Sequence, residues 1–268
     1  MKLSIVLSTH AARFEALAYK GDFERNVAQI ASLGYDGVEL AVRDPNLLDV
    51  AHVEEVVVRY NLEVPAIGTG QAYGEESLSF TDPDQKVRER AIQRIHDQIE
   101  FASRFKAQVI IGLIRGKVRP EVERAQVWAW MVEALRECAH HAEERGVKLT
   151  LEPLNRYETN LINTVAEGLA LIEEVGSEAL YLLLDTFHMN IEEPSMEKSI
   201  IAAGEHLSHF HVADSNRWHP GAGHIDFASI VNALRQIGYE GYLSVEAMPY
   251  PDPDACARKT IEHMRPLL

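Results

Sequence analysis

The stretch LYLLLDTFHMN (180–190) decides the fold, because a continuous apolar run ends there in one carboxylate, Asp185. Three other short apolar runs also end in a residue that can bind a metal: KLTLE (148–152), LSHFH (207–211) and YLSVE (242–246). The four end residues are separated by 33, 26 and 35 positions. A barrel of alternating strands and helices uses about 30 residues per strand-helix unit, and its chemistry lies where the strands end. The spacing therefore predicts four consecutive barrel strands that bring together Glu152, Asp185, His211 and Glu246.

The rest of the chain continues this alternation. Four earlier apolar runs predict strands: KLSIVL (2–7), GVELAV (37–42), VPAIG (64–68) and QVIIGLI (108–114). Eight helical patterns follow the strands, at about 22–33, 53–60, 84 onward, 120–144, 165–176, 196–205, 227–238 and 255–267. Continuous apolar strands are typical of a parallel sheet covered by helices. Because eight units favour a closed barrel over an open doubly wound sheet, we expect residues 1–268 to form a single (β/α)₈ TIM-barrel domain, with its site at the C-terminal ends of the strands.

One connection is longer and more polar than the others. The segment TGQAYGEESLSFTDP (69–83) leaves the C-terminal end of the third predicted strand. Connections at that end of a barrel carry binding residues. We therefore expect this loop to wall or cover the site.

Composition and charge exclude several classes of function. The formal net charge is −15, from 41 acidic and 26 basic residues, and such a field repels nucleic acids. No apolar segment approaches the ~20 residues of a membrane span, and the five-residue apolar run at the N-terminus is shorter than a signal peptide requires. The two cysteines, Cys138 and Cys256, form no CxxC pair. They read as isolated reduced thiols, which predicts a cytoplasmic protein.

The four strand-end residues together predict a metal site. Singly, each has an ordinary interpretation: Glu152 could cap a turn, and a lone histidine in a strand is usually a packed residue. Asp185 needs a partner, because an unpaired buried carboxylate is costly. Three carboxylates and an imidazole at matching positions form an oxygen-rich site for one divalent cation of the Mn²⁺ or Mg²⁺ kind. His209 shares the strand face of His211 one layer deeper, and we expect it to pack beside the site rather than to bind the metal.

Three long motifs carry a resemblance to a known family: LEPLNRYETN (151–160), DTFHMNIEE (185–193) and HFHVADSNRWHPGAGHIDF (209–227). They resemble the sugar phosphate isomerase/epimerase group of barrels, which is similar to xylose isomerase and endonuclease IV. Within that group they resemble the ketose 3-epimerases of the D-tagatose 3-epimerase type. AVRDP (41–45) and AIGTGQAY (66–73), together with RYETN within the first motif, resemble the branch that epimerises 5-keto-L-gluconate to D-tagaturonate.

The resemblance implies roles for individual residues. It implies one divalent ion, Mn²⁺ first and Mg²⁺ or Co²⁺ as alternatives, held by Glu152, Asp185, His211 and Glu246. It implies that three further residues bind the substrate: Glu158, His188 and Arg217. The substrate would be a keto-sugar or a keto-sugar acid. Family members often form dimers or tetramers, so a homodimer or homotetramer is the corresponding expectation here.

Epimerisation next to a ketone requires a weakly acidic proton to leave one face of a carbon and another to arrive on the opposite face. A divalent cation on the ketone and neighbouring hydroxyl oxygens stabilises the cis-enediolate formed between these steps. Glu152 and Glu246 are the two bases that we expect to work on opposite faces. Asp185 and His211 would then be structural ligands, and the remaining substrate-binding residues would orient the ketone end.

A sugar acid would also require a cation for its carboxylate. Arg43, Arg115 and Arg156 follow predicted strands and are the candidates. Their alternative interpretation is charge balance for the acidic site.

Three other functions compete with an epimerase. An aldose–ketose isomerase, such as a hydroxypyruvate isomerase, would use the same scaffold, metal and base. An endonuclease IV-like phosphoesterase needs extra histidines on early strands, and only His10 lies at an early strand end. A metal-free sugar-binding barrel would leave three clustered carboxylates without a neutralising cation, which is destabilising.

Overall fold

The computed structural model describes residues 1–268, and its parallel sheet closes on itself as a barrel. The strands are β1 (Lys2–Ser8), β2 (Tyr19–Lys20), β3 (Gly37–Ala41), β4 (Ala66–Gly68), β5 (Gln108–Ile111), β6 (Leu149–Leu151), β7 (Leu180–Asp185), β8 (Leu207–Val212) and β9 (Tyr242–Val245). All except β2 form the barrel, which closes where β9 pairs with β1. The short β2 was not predicted, and it extends the sheet beside the end of β1. The eight predicted strands and the (β/α)₈ fold are confirmed.

Ten α-helices surround the barrel, two more than predicted. They are α1 (Phe23–Ser32), α2 (Val50–Arg59), α3 (Gly70–Glu76), α4 (Gln85–Ser103), α5 (Arg124–Arg145), α6 (Val165–Val175), α7 (Thr186–Glu192), α8 (Met196–Ala203), α9 (Phe227–Gln236) and α10 (Pro253–Met264). None of them combines the length and apolar character needed to cross a bilayer. The prediction that α5 begins near Pro120 was wrong, because the Val122 N–H donates to the Arg119 carbonyl (3.1 Å) and closes a separate turn before the helix.

Both additional helices lie at the C-terminal ends of strands. Helix α3 occupies part of the segment 69–83, which we predicted as a loop, and it buries Gln71 and Ala72. Helix α7 begins directly after β7 because the Asp185 carboxylate accepts a hydrogen bond from the Phe187 N–H (2.8 Å). A side-chain acceptor at this position stabilises the first turn of a helix. These two helices therefore form part of the C-terminal mouth of the barrel.

Alternation along the strands separates an outer apolar layer from a barrel interior that contains both apolar and polar side chains. In β7, Leu182 and Leu184 pack in the large core between sheet and helices, so the residues between and after them face inward. Ser4, Thr150 and Ser244 occupy inward positions of other strands and are fully buried. The last inward position of a strand therefore lies at the C-terminal mouth, where a polar side chain can meet others from neighbouring strands.

Candidate active site

The four predicted ligands meet at the C-terminal mouth of the barrel. Asp185 ends β7 and His211 lies near the end of β8, while Glu152 and Glu246 directly follow β6 and β9. One ligand atom from each residue lies within 4.8 Å of all the others. Asp185 and His211 are almost completely buried, and so is Glu152. The barrel register therefore converts four distant positions in the sequence into one compact cluster.

The geometry of the cluster suits one divalent cation. Nδ1 of His211 lies 3.7 Å from Oε1 of Glu152, 3.9 Å from Oδ2 of Asp185 and 3.9 Å from Oε2 of Glu246. Ligands at about 2.1 Å from an octahedral ion lie about 3–4 Å from one another. Both Nδ1 of His211 and Oε1 of Glu152 are buried without a hydrogen-bond partner. Because buried polar atoms are normally paired, these two atoms are available to a cation.

The electrostatics of the carboxylates favour the same conclusion. Burial and the neighbouring Glu246 raise the pKa of Glu152 well above its ordinary value. Burial also raises the pKa of Glu246, to about 7. Burial alone would raise the pKa of Asp185 as well, but the adjacent Arg217 outweighs it and lowers that pKa. Crowded carboxylates resist ionising together, so a bound divalent cation would stabilise all of them.

Glu39, on β3, contacts the histidine of the cluster from inside the barrel. Both of its carboxylate oxygens lie 3.1 Å from Nε2 of His211, and Oε2 also lies 2.8 Å from Nε2 of His209. Burial alone would lower the pKa of His211, but Glu39 and the site carboxylates raise it to about 10. A cation that binds Nδ1 of His211 must therefore displace a proton.

The three predicted substrate-binding residues surround the same cluster. The buried Arg217 donates from Nη1 to Oδ2 of Asp185 (2.5 Å) and from Nη2 to Glu246. Nε2 of His188, on α7, lies 3.8 Å from Oε1 of Glu152. Burial lowers the pKa of His188 to about 3, so its ring is neutral. Burial likewise raises the pKa of Glu158, whose side chain is partly exposed.

A cavity of about 270 Å³ opens above the cluster. Its floor includes Glu152, Glu158, His188, His211, Arg217 and Glu246, and one wall comes from the segment 69–83 through Thr69, Gly70, Gln71, Gly74 and Glu75. The prediction that this segment walls the site is therefore confirmed. The volume lies slightly below the about 300–1,000 Å³ of typical ligand pockets, which suits a small ligand.

None of the three arginines predicted to bind a substrate carboxylate lines this cavity. Arg43 pairs with Glu75 (3.2 Å) and Arg156 pairs with Glu192 (2.7 Å). Arg115 is fully buried, and its guanidinium donates to the backbone carbonyls of Gly112, Leu161 and Ile162. The basic residue that does line the outer part of the cavity is Arg13, which sequence reasoning missed.

Two further residues beside the site were also missed. Glu39 is the one charged residue in the apolar strand GVELAV, and the rule that identified Asp185 could have found it. Asn155 contacts both Glu158 and His188 from the loop after β6, and nothing in its sequence context singled it out. His209 packs against Glu39 beside the four-residue cluster. With Glu39 and His211 it forms a second group of side chains close enough to hold a metal ion.

Comparison with known proteins gives a consistent assignment. Residues 27–267 match the family model of the xylose isomerase-like TIM barrel. A D-psicose 3-epimerase from Enterocloster bolteae is 45% identical over 84% of this chain and 76% of that protein, and an L-ribulose 3-epimerase from Methylomonas sp. (strain DH-1) is 36% identical over 87% and 82%. The solved structure of a D-allulose 3-epimerase from Methylomonas sp. in complex with D-allulose has a TM-score of 0.84 at 29% identity, with 100% of both chains covered. The chain therefore belongs to the xylose isomerase-like TIM barrel family, within its group of ketose 3-epimerases, which are isomerases that act on sugars.

Proposed function

We propose that this chain is a divalent-metal-dependent epimerase that inverts the hydroxyl-bearing carbon next to the ketone of a keto-sugar, through a cis-enediolate. The observation that carries the proposal is that Glu152 and Glu246 have ligand atoms within 4.8 Å of each other. They meet although β7 and β8 lie between the strands that they follow, β6 and β9. The cation, with Mn²⁺ as first choice and Mg²⁺ or Co²⁺ as alternatives, would be held by Glu152, Asp185, His211 and Glu246. Bound there, it would polarise the ketone and neutralise the negative charge of the enediolate.

The two glutamates would divide the proton transfers between them. One carboxylate removes the proton from one face of the carbon, and the other, protonated, delivers its proton to the opposite face. Glu152 is almost completely buried and the Glu246 side chain is 15% exposed, which limits the access of water to the enediolate. After each conversion the enzyme holds the same number of protons, but the glutamate that was ionised is now protonated and the other is now ionised.

The neighbouring polar residues would orient the substrate. Nε2 of His188 and the guanidinium of Arg217 lie on the cavity side of the cluster, where they can donate to the oxygens of the ketone end. Glu158, held by Asn155 at 3.0 Å, can accept from a substrate hydroxyl. Donors placed at an oxygen that gains negative charge lower the barrier of such a reaction.

The substrate class that we propose is an unphosphorylated ketose, such as D-psicose or L-ribulose. The names of the two relatives above give these sugars as substrates. The cavity has few basic side chains that could bind a phosphate. It contains no lysine, and of its two arginines Arg217 is already paired with two carboxylates.

A keto-sugar acid, 5-keto-L-gluconate with its epimer D-tagaturonate, is the second candidate substrate. Neither relative is named for this activity, so the candidate depends on the motif resemblance and on Arg13. Arg13 is exposed, lines the cavity and pairs with no carboxylate through its side chain, while its backbone N–H donates to Glu75 (3.3 Å). A free cation at this position suits a terminal carboxylate of the substrate.

The competing functions differ in what they would need from the same site. An aldose–ketose isomerase would need the same metal cluster but only one glutamate as a base, and the relatives named above, which are 3-epimerases by name, favour the epimerase. An endonuclease IV-like phosphoesterase would need additional histidine ligands, and His10 belongs to neither metal-competent cluster of the structure. We also propose a cytoplasmic, single-domain protein that forms a homodimer or homotetramer, and its two buried free thiols are consistent with a reducing compartment.

The direct test is proton NMR in D₂O after incubation with Mn²⁺-loaded enzyme, with D-psicose, L-ribulose, D-tagatose, 5-keto-L-gluconate, D-tagaturonate and hydroxypyruvate as substrates. We expect deuterium only at the carbon beside the ketone, with the epimer accumulating, and no exchange with EDTA-treated enzyme. Aldehyde signals would identify an aldose–ketose isomerase instead. Absence of exchange with every compound would contradict the epimerase.

Metal binding can be tested separately from turnover. At a free Mn²⁺ concentration one hundred times its Kd, binding should add about 2.7 kcal/mol to the free energy of unfolding. An Asp185→Asn variant should lose most of this stabilisation while keeping the fold. Equal melting temperatures of the wild-type protein with Mn²⁺ and with EDTA would exclude the proposed ligand set.

A further inference from the structure

Two buried histidines, His188 and His211, present opposite ends of their imidazole rings to the cluster. His211 directs Nδ1 at the three carboxylates, and its Nε2 contacts Glu39. His188 directs Nε2 at Glu152 (3.8 Å), and its Nδ1 contacts Asn155. The two rings therefore depend on different partners behind them, and neither partner belongs to the cluster itself.

The partner of His211 determines which nitrogen carries hydrogen. Nε2 of His211 lies 3.1 Å from each oxygen of Glu39, and an ionised carboxylate can only accept hydrogen bonds. Nε2 must therefore carry a hydrogen, and Nδ1 is the nitrogen that releases its proton when a cation binds. Glu39 is only 1% exposed, and the Nε2 of His209 holds its Oε2 at 2.8 Å, so the carboxylate has no alternative partner in solvent.

The partner of His188, Asn155, contacts Nδ1, so that the other nitrogen of this ring, Nε2, faces the cluster. Nδ1 of His188 accepts hydrogen bonds from the Nδ2 of Asn155 (2.7 Å) and from the Asn155 backbone N–H (3.3 Å). The orientation of the amide is fixed independently, because its Oδ1 accepts from the Tyr157 N–H (3.0 Å) and its Nδ2 donates to Glu158 (3.0 Å). Two donors that converge on Nδ1 require a lone pair there. The hydrogen of the neutral ring must then lie on Nε2, which faces the cavity.

We propose that Glu39 and Asn155 are positioning residues that hold both histidines in the Nε2–H tautomer. The same tautomer then serves two purposes, because the rings are turned in opposite directions. His211 offers a lone pair to the cation, and His188 offers an N–H to a substrate oxygen. The part that concerns the substrate rests on the proposed function, while the part that concerns the ring nitrogens does not.

Such contacts in other proteins indicate how large the effects should be. A carboxylate behind a metal-binding histidine fixes the ring orientation and makes the ligand more basic, and removing it costs about 10–100-fold in metal affinity. Loss of an N–H donor at the developing oxyanion lowers kcat by about 10²-fold. The two positions should therefore separate, with Glu39 acting on metal affinity and Asn155 acting on turnover.

The first experiment is ¹⁵N NMR of the imidazole nitrogens in Mg²⁺-saturated wild-type protein, with the two rings assigned from His188→Gln and His211→Gln variants. We expect Nε2 protonated and Nδ1 unprotonated in both rings. A protonated Nδ1 on either ring would overturn the proposal for that histidine. Because this measurement needs neither substrate nor turnover, it can fail while the epimerase proposal stands, and the reverse also holds.

The second experiment uses variants and Mn²⁺ titration followed by electron paramagnetic resonance. Glu39→Gln should weaken Mn²⁺ binding about 10–100-fold, whereas Glu63→Gln, a matched change at an exposed glutamate bound to Lys2, should leave it unchanged. Asn155→Asp should move the His188 hydrogen to Nδ1 and lower kcat without changing Mn²⁺ affinity. Wild-type Mn²⁺ affinity in Glu39→Gln, or an unmoved His188 hydrogen in Asn155→Asp, would contradict the assigned roles. If a variant fails to fold, the wild-type ring spectrum still decides the tautomers.

Discussion

Nη1 of Arg217 lies 2.5 Å from Oδ2 of Asp185, and both side chains are almost completely buried. The same carboxylate lies 3.9 Å from Nδ1 of His211, inside the proposed metal cluster. Asp185 is therefore shared between a guanidinium and the position proposed for a divalent cation. Because Arg217 also contacts Glu246, one arginine balances two of the three carboxylates from the substrate side.

This sharing predicts how removal of Arg217 affects stability. Loss of one partner from a buried ion pair typically costs about 3–5 kcal/mol, because the other charge stays buried and unpaired. Arg217→Met should lower the free energy of unfolding by about this amount in EDTA, and much less in saturating Mn²⁺, since the cation neutralises the same carboxylates. Denaturant unfolding in the two conditions measures the difference. Arg43→Met, which removes an ion pair that does not involve the four-residue cluster, should show the same loss in both conditions. A matching result for Arg217→Met would contradict the sharing.

The two-base proposal predicts one-sided exchange in glutamine variants. Glu152→Gln and Glu246→Gln should each lower epimerisation by about 10²–10⁴-fold. Each variant keeps one carboxylate, so it should still exchange the proton of one epimer with D₂O, and the two variants should prefer opposite epimers. Proton NMR of both epimers with each Mn²⁺-saturated variant measures this preference.

The control for this experiment is Mn²⁺ occupancy, because both glutamates also belong to the proposed ligand set. Occupancy should be matched by titration before rates are compared. If both variants exchange the same epimer, one glutamate does not act as a base, and another group must work on the second face.

Strand-end residues could be predicted from the sequence because barrel geometry leaves them little freedom. Asp185 follows an apolar run, and the parallel register then places it beside His211, its direct pairing partner in β8. Residues in the connections are different, because their side chains follow local turns that periodicity does not encode. Arg115 directly follows the predicted strand 108–114, yet its side chain turns to the carbonyls of Leu161 and Ile162. Asn155 contacts His188 only because the loop after β6 folds back against α7.

The position of Arg13 in the cavity leads to a prediction about whether the enzyme prefers acidic or neutral substrates. If its guanidinium receives a terminal carboxylate, Arg13→Met should lower kcat/KM for 5-keto-L-gluconate by about 10–100-fold, in line with the about 1.5–3 kcal/mol of a hydrogen bond to a charged group. The kcat/KM for D-psicose should change little. Arg156→Met is the matched control, because its side chain is exposed and pairs with Glu192 away from the cavity. Equal losses for both substrates in Arg13→Met would assign this residue to the shape of the cavity mouth rather than to carboxylate recognition.

The close packing around Gly223 predicts that a single added methyl group there disturbs the loop that carries Arg217. A Cβ at Gly223 would clash with Oδ1 of Asp214, a fully buried residue. Oδ1 accepts from the N–H of Ile225 (3.1 Å), and Oδ2 accepts from the N–H of Gly221 (2.9 Å). The Asp214 carbonyl in turn accepts from the N–H of Arg217 (2.8 Å), whose backbone has φ +62°. Displacement of Asp214 should therefore displace the guanidinium at the site.

We expect Gly223→Ala to lower kcat by about 10²-fold, because a shift of about 1 Å in a positioning group has an effect of this size. Kinetics in the Arg217→Met background separate this effect from general damage to the fold. If the alanine acts through Arg217, it should cause little further loss once Arg217 is absent, since two changes in one pathway are not additive. Full additivity would instead show that Gly223 supports the active site by a route that does not involve Arg217.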